Sequence, residues 1–532
     1  MSDEETTPRK TPAPAWARLA LGALSGLLAG GAALAVAELS AAAVRPQAGP
    51  VVAVGSAAID RTPPAVKDWA IRSFGTNDKL VLQLGILAVL TLFALALGVL
   101  AVRHRRTGAA GVLVFGVVGA AAALSRPDST GVADAVPSVL GAAAGAVLLH
   151  VLAGLLPPPR REPAQGRDGG WDRRRFVIAA TAAAAASAGA GALGRTLNGA
   201  GGRDAIASRN GITLPPPASP APATPRRARV RVDGVSSYTT ANSDFYRVDT
   251  ALVVPKVDAT GWQLRIHGRG VTRETTLTFD DLLRRELIER TITLTCVSNE
   301  VGGPYVGNAR WIGVRLADLL AECGVRPPSG GGPADQLVAR SVDGMTIGTP
   351  VEDVMDGRDA MLAVGMNGRP LPFDHGFPVR MLVPGLYGYV SACKWIEDIE
   401  LTTFDAYDPY WVERDWAREA PIKTQSRIDT PKPFARPKAG TVMVAGVAWA
   451  QHRGIDKVEV RVDDGPWEEA VLAAEDTRDT WRQWSYAWRA GKGGHTLTVR
   501  ATDRTGEVQT EKRTRTVPDG ASGWHSVVVT VE

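Results

Sequence analysis

For its length the chain is poor in cysteine, histidine and aromatic residues. Its 532 residues hold three cysteines, Cys296, Cys323 and Cys393. That number excludes a disulfide-stapled scaffold. Seven histidines are scattered without a His-x-x-x-His spacing, and no Cys-x-x-Cys occurs. A first-row metal site built from side chains alone is therefore not expected. Neither sign of charge dominates at a formal +5. The basic residues form no patch interleaved with aromatics, so nucleic acid is not an expected partner.

What the chain has in excess is apolar sequence, and it is unevenly placed. Apolar runs cover 16–44, 80–102, 108–125 and 133–156, and an Ala-rich run covers 176–194. Each is near or above the roughly 18–20 residues that cross a hydrocarbon core. Residues 1–194 thus predict a membrane region with about five transmembrane helices. Basic residues at 103–106, at Arg160 and Arg161 and at 173–175 place those loops and the N-terminus in the cytoplasm. The soluble remainder then lies outside. Loop 45–79 runs against this rule, since it carries Arg45, Arg61, Lys67, Arg72 and Lys79. Asp172 to Ile178 resembles a twin-arginine export motif, with paired Arg173 and Arg174, then Phe176 and an apolar run. No Ala-x-Ala site follows residue 192, so this span is expected to stay as an anchor. Only His104 and His150 could offer ligands to a transmembrane haem, and haem in this chain is not expected.

Residues 195–228 are rich in Gly, Pro, Ala and Arg and read as a semi-extended linker. From 229 to 405 strands and helices mix, which predicts an α+β domain. Strands are expected at Trp262–His267, Thr291–Thr295, Pro378–Val383 and Lys394–Leu401, and helices at Phe279–Leu287 and Leu316–Cys323. Trp311, Gly313, Leu316, Leu319 and Leu320 read as the start of that second helix. Across 406–532 the pattern changes, from about 437 onward, to short strands with turn punctuation, as in an immunoglobulin-like β-sandwich. The fold class is multi-domain: transmembrane helices, an α+β domain and a sandwich.

Within the α+β domain, Asn242, Phe245, Tyr246, Arg247, Cys296, Asn299, His375, Arg380 and Lys394 fall in loops or at strand ends. Together they offer one soft thiolate donor and a set of cations and amides. That chemistry suits a metal held by one protein sulfur, with an organic cofactor supplying the other ligands. The cations would neutralise a phosphate and an anionic substrate. Left to itself Cys296 reads equally as a buried apolar residue, the usual fate of a free cysteine. Cys323 reads as core. His267, His452, His495 and His525 read as surface or sandwich residues.

At these residues the chain resembles the sulfite oxidase family of molybdopterin enzymes. The likeness runs through Phe245-Tyr246-Arg247, Thr295-Cys296-Val297-Ser298-Asn299, Gly307 to Val314, Met366 to Arg380, Pro384 to Gly388 and Ser391 to Trp395. Val444 to Trp449, Lys457 to Gly465, and Arg500 to Asp503 with Gly506 resemble that family's dimerisation domain. The resemblance implies a molybdenum-molybdopterin cofactor (Moco) with Cys296 as the protein ligand to the metal. It implies that Asn242, Phe245, Tyr246, Arg247, Ser341, Asp343, His375, Arg380, Ser391, Ala392, Cys393 and Lys394 hold the pterin and its phosphate, and that Arg247 also faces a small-molecule substrate. It further implies oxygen-atom transfer, an external cytochrome or quinone-linked electron partner, and a homodimer.

Two departures bear on the substrate. Animal sulfite oxidases follow the cysteine with an Arg-containing loop, where this chain has Ser298-Asn299-Glu300-Val301. Glu300 would repel sulfite. Arg414-Asp415-Trp416 stands where that family has Arg-Asp-Tyr, so the phenol is missing. A sulfoxide or related oxide is therefore as good a substrate. Two other classes stay open: a cysteine-nucleophile hydrolase using Cys296 with His375, and a non-catalytic membrane-anchored binding protein.

Overall fold

The computed structural model describes residues 15–63, 66, 69, 73–74, 78–156 and 173–532. Readings made on the first 14 residues and on Lys67, Arg72, Arg160, Arg161 and Asp172 lie outside the described residues. The chain divides into two compact units. One takes residues up to Arg203 with Thr250–Val253, and the other Asp204–Asp249 with Val254–Glu532.

The first unit is helical: Ala15–Val44, Pro50–Arg61, Asp78–Ala101, Arg105–Leu124, Val136–Gly154 and the start of Arg173–Gly211. Among the described residues, five helices are long and apolar enough to cross a membrane. Val117, Leu92 and Val147 are each about two-thirds exposed (68%, 66% and 65%), a poor arrangement in water and a natural one in lipid. Small residues let the helices meet. A Cβ on Gly26 would lie 1.9 Å from the Ala94 carbonyl oxygen, and one on Gly98 2.2 Å from that of Gly22. Close backbone approach of this kind holds helices together where lipid removes the hydrophobic drive. Segment 45–79, read as a loop, contains the Pro50–Arg61 helix. Arg45 there is neutralised by Asp128 at 2.8 Å and by Asp134.

The linker reading needs correction. Helix Arg173–Gly211 continues through 195–211, despite its glycines. Once nucleated, each added residue gains a hydrogen bond, and Asn198 Nδ2 donates to Glu38 Oε1 at 2.8 Å. Beyond it, Ser219 bridges to Ile288, so part of the remainder is docked rather than free.

The second unit carries four sheets. The first is β2 (Thr275–Thr278), β1 (Gln263–Gly268), β10 (Ile396–Thr402), β5 (Gln336–Ser341) and β6 (Thr346–Pro350), in that order. The next is β3 (Leu287–Thr295), β4 (Val306–Arg315), β7 (Met361–Met366) and β8 (Arg369–Pro370), with β9 (Arg380–Leu382) also on β7. Two residues expected in a helix, Trp311 and Gly313, lie in β4, and the helix is confined to Leu316–Glu322. β4 is buried on both faces, so it lacks the alternation that marks a strand. Likewise the helix expected over Phe279–Leu287 stops at Leu283, and Leu287 opens β3. One core joins both sheets, with Trp311, Phe377, Leu264 and Ile292 fully enclosed.

The last two sheets are β11 (Gln425–Thr430), β12 (Gly440–Trp449), β16 (Arg482–Ala490) and β15 (Val471–Leu472), and β14 (Trp467–Glu469), β13 (Ile455–Val462), β17 (Gly493–Asp503) and β18 (His525–Val531). They share a separate core in which Val444 and Trp484 of one sheet meet Val458, Val499 and Val529 of the other.

Candidate functional site

β3 and β4 form a hairpin whose connecting loop, 296–305, begins at Cys296. The Cys296 N–H donates to the Tyr305 carbonyl at 3.0 Å, and Asn299 Oδ1 accepts from the Tyr305 N–H at 2.8 Å. The loop is thus closed on itself, with the thiol buried and Glu300 exposed. Burial pushes the Cys296 thiol up, against hydrogen bonds from Ser298 and the charge of Lys394. A free nucleophile needs the opposite shift; a metal would hold the same sulfur as thiolate.

Around this thiol the structure gathers most of the residues singled out from sequence. Phe245 stacks on Tyr246 with centroids 5.1 Å apart, and meets Trp311 and His375 edge-on at 5.7 and 5.5 Å. His375 Nε2 lies 3.0 Å from the Asn242 carbonyl oxygen, so that nitrogen carries the proton and donates. Burial, then the nearby Arg380, lowers the imidazole to about 4, so His375 is neutral at ordinary pH. Asn242 is fixed from both ends, donating to the Met366 carbonyl at 3.3 Å and accepting from Asn367 Nδ2 at 2.7 Å.

The buried Arg380 is the most telling group. No carboxylate lies within ion-pair distance of it among the described residues. Nη1 donates to the His375 carbonyl at a long 3.3 Å, and Nε has no partner. The guanidinium otherwise rests 5.3 Å from the Trp311 ring centroid. Burial lowers it to about 10, which leaves it charged at neutral pH. A charge buried without compensation is costly unless an anion arrives.

Lys394 and Arg247 are treated differently. Lys394 Nζ donates to Asp249 Oδ2 at 2.9 Å and to the Asp374 carbonyl at 3.2 Å. Arg247 pairs with the same Asp249 at 3.5 Å and with Asp374 Oδ1 at 3.2 Å. Sequence reasoning missed both carboxylates. Asp249 stands two residues beyond Arg247, the spacing that puts two side chains on one side of an extended segment.

The remaining candidates divide. Cys393 is buried beside Asp343 and Arg380, and burial raises its thiol strongly. Its carbonyl accepts from the Met381 N–H at 2.9 Å, which ties 391–393 to β9. Ala392 lies in the same strip. Ser391 spends its hydroxyl on the Leu386 and Tyr387 carbonyls at 3.0 Å. Ser341 turns its hydroxyl to Asp343. Cys323 is a core residue, as expected. Trp416 packs against Tyr389 and Trp411 at 5.5 and 5.9 Å.

The donor set fits an anionic metal cofactor. Among the described residues no cluster of three His, Cys, Asp or Glu could hold an ion, so a metal beside Cys296 would need most ligands from elsewhere. The orphaned Arg380 Nε supplies the matching demand for an anion.

Comparison with known proteins gives the same class. Residues 251–411 match the oxidoreductase molybdopterin binding domain. Mitochondrial sulfite oxidase of Rattus norvegicus is 30% identical over 292 residues, covering 47% of this chain and 52% of that protein. The NADH nitrate reductase 1 of Oryza sativa subsp. japonica is 33% identical over 186 residues, covering 30% of this chain and 20% of that one. The sulfane dehydrogenase SoxCD of Paracoccus pantotrophus aligns in structure with a TM-score of 0.47 and 24% identity, covering 56% of this chain and 84% of that one. The chain spans about half the length of the sulfite oxidases it matches (52% of the rat protein). The matched domain is thus a molybdopterin-binding oxidoreductase domain. The chain belongs to the sulfite oxidase family of molybdenum-dependent oxidoreductases, and its cofactor is molybdenum-molybdopterin.

Proposed function

We propose that this is a membrane-anchored enzyme that transfers an oxygen atom to or from a small sulfur- or nitrogen-containing compound at the extracytoplasmic face. The observation that carries this reading is the pairing of a buried single thiol, Cys296, with a buried guanidinium, Arg380, that lacks a carboxylate. When bound, the cofactor supplies two-electron oxygen-atom exchange and passes the electrons on singly to an external cytochrome or quinone-linked carrier. The protein's part is to hold and orient it. Cys296 ligates the metal. Arg380 and neutral His375 meet the cofactor's phosphate, and the stacked Phe245 and Tyr246 wall the cavity. Arg247, half-exposed, faces the substrate. Lys394, Cys393, Ala392, Asn242, Ser341, Asp343 and Ser391 complete the binding surface, the last three through the backbone they brace.

Neutral oxides suit the site better than sulfite. Both cations at the mouth already pair with Asp249 or Asp374, and Glu300 is exposed on the loop after Cys296. The five apolar helices make an anchor with the soluble unit outside. The last two sheets are an immunoglobulin-like sandwich, through which a second copy docks.

Metal analysis and anaerobic molybdenum electron paramagnetic resonance test the reading. The purified protein should carry one molybdenum per chain, lost in Cys296→Ser. Dimethyl sulfoxide or trimethylamine N-oxide should reoxidise the dithionite-reduced protein. A metal-free folded protein, or Cys296→Ser with full metal, would overturn the assignment. A signal that responds to sulfite alone would reverse the substrate preference. Reporter fusions after residues 104 and 532 should fall on opposite sides of the membrane.

A further inference from the structure

β3 is the end strand of its sheet, and Cys296 is the residue after its last member. β4 holds one edge. The other edge is held from the C-terminal sheets. The Thr293 N–H donates to the Asp479 carbonyl at 2.9 Å, and the Trp481 N–H donates to Thr293 Oγ1 at 2.7 Å. Gln451, fully buried where β12 ends, donates through Nε2 to the Thr293 carbonyl and to Thr295 Oγ1, both at 2.9 Å. The loop beyond Cys296 is gripped from the same side. Arg427 Nη1 donates to the Gly303 carbonyl at 2.8 Å, braced by Asp429 at 2.7 Å. The half-buried His525 ring fills the place of a side chain at Gly302, where a Cβ would lie 2.2 Å from it.

Gln451 is a poor choice if stability alone were at stake. Its Oε1 is buried and has no partner among the described residues. An unsatisfied buried acceptor costs free energy, and an apolar side chain of similar size would avoid that cost. What an apolar side chain could not do is fix both the carbonyl two residues before the end of β3 and the hydroxyl beside Cys296.

We propose that Gln451 is a positioning residue for Cys296: its amide, presented by the C-terminal sheets, sets where the end of β3 places the thiol. This rests on the reading of Cys296 as the metal's protein ligand. Angle and distance at a ligating sulfur tune the metal, and groups behind the ligand are the usual means of setting them.

The test uses full-length, detergent-solubilised holoenzyme. In Gln451→Leu the molybdenum content should stay within about twofold of wild type, while the g values of the Mo(V) signal shift. Thr295→Val removes the acceptor from the other end without changing its shape, and should give the same spectral shift. It also carries the test if Gln451→Leu does not fold. The double variant should shift no further than either single one, because both break one contact. Unchanged g values in Gln451→Leu or Thr295→Val, or shifts that add in the double variant, would refute the proposal. Full metal and a wild-type signal in Cys296→Ser would instead sink the ligand reading, whatever Gln451 shows.

Discussion

Two neighbouring regions of the site handle positive charge in opposite ways. Around Arg380 the fold buries a guanidinium with no carboxylate beside it. Around Arg247 and Lys394 it supplies two carboxylates, one of them the buried Asp249. The first region is a charge held ready for an anion that stays. The second is neutralised in advance, so a substrate arriving there meets little net attraction. Permanent and passing occupants are thus separated by where compensation is built in.

The largest expected effect comes from removing that compensation. Asp249→Asn leaves Lys394 and Arg247 sharing only what remains, and breaking a buried pair costs about 3–5 kcal/mol. Thermal unfolding should show the loss, and the variant should bind sulfite more tightly than wild type. Equal sulfite binding would mean that Asp249 does not screen the mouth.

Next is pH. His375 is lowered to about 4, first by burial and then by Arg380. Between about 6.5 and 4 the unfolded chain takes a proton that the folded one refuses, so stability present above 6.5 falls as pH drops, by about 3 kcal/mol at most. Cofactor-free protein should show this decline in its unfolding temperature, and Arg380→Met should make it shallower. The same Arg380→Met should cost roughly 10- to 100-fold in cofactor retention, read as molybdenum per chain, by the scale of losses around metal sites. It should leave the cofactor-free protein no less stable, because an unpaired buried charge has gone. Glu300→Gln should have the smallest effect, lowering the KM for sulfite by about two- to threefold, as befits an exposed charge.

Much of the fold was legible where a single face is buried. β3 alternates, and its reading from Thr291 to Thr295 holds. β4 was misread because it is buried on both faces, and its Trp311 and Gly313 join by chance to the helical spacing of Leu316, Leu319 and Leu320. The Gly-rich 195–211 was misread because helix propagation from a preceding apolar helix outweighs local propensity. In the site, Cys296, Arg380 and His375 stood out through motif and chemistry. Asp374 and Gln451 did not, since nothing local marks a residue whose partner lies 127 or 158 positions away.

Thr293 also says something about the order of biosynthesis. Its N–H, carbonyl and hydroxyl all bond to residues between 451 and 481. The outer edge of β3 is therefore bare until those residues have emerged from the ribosome, nearly the whole length of the chain. A nascent chain halted near residue 410 would present an open strand edge, the kind that recruits other chains. Insertion of the cofactor is thereby deferred until translation is nearly complete, which suits a protein that crosses a membrane already folded and loaded.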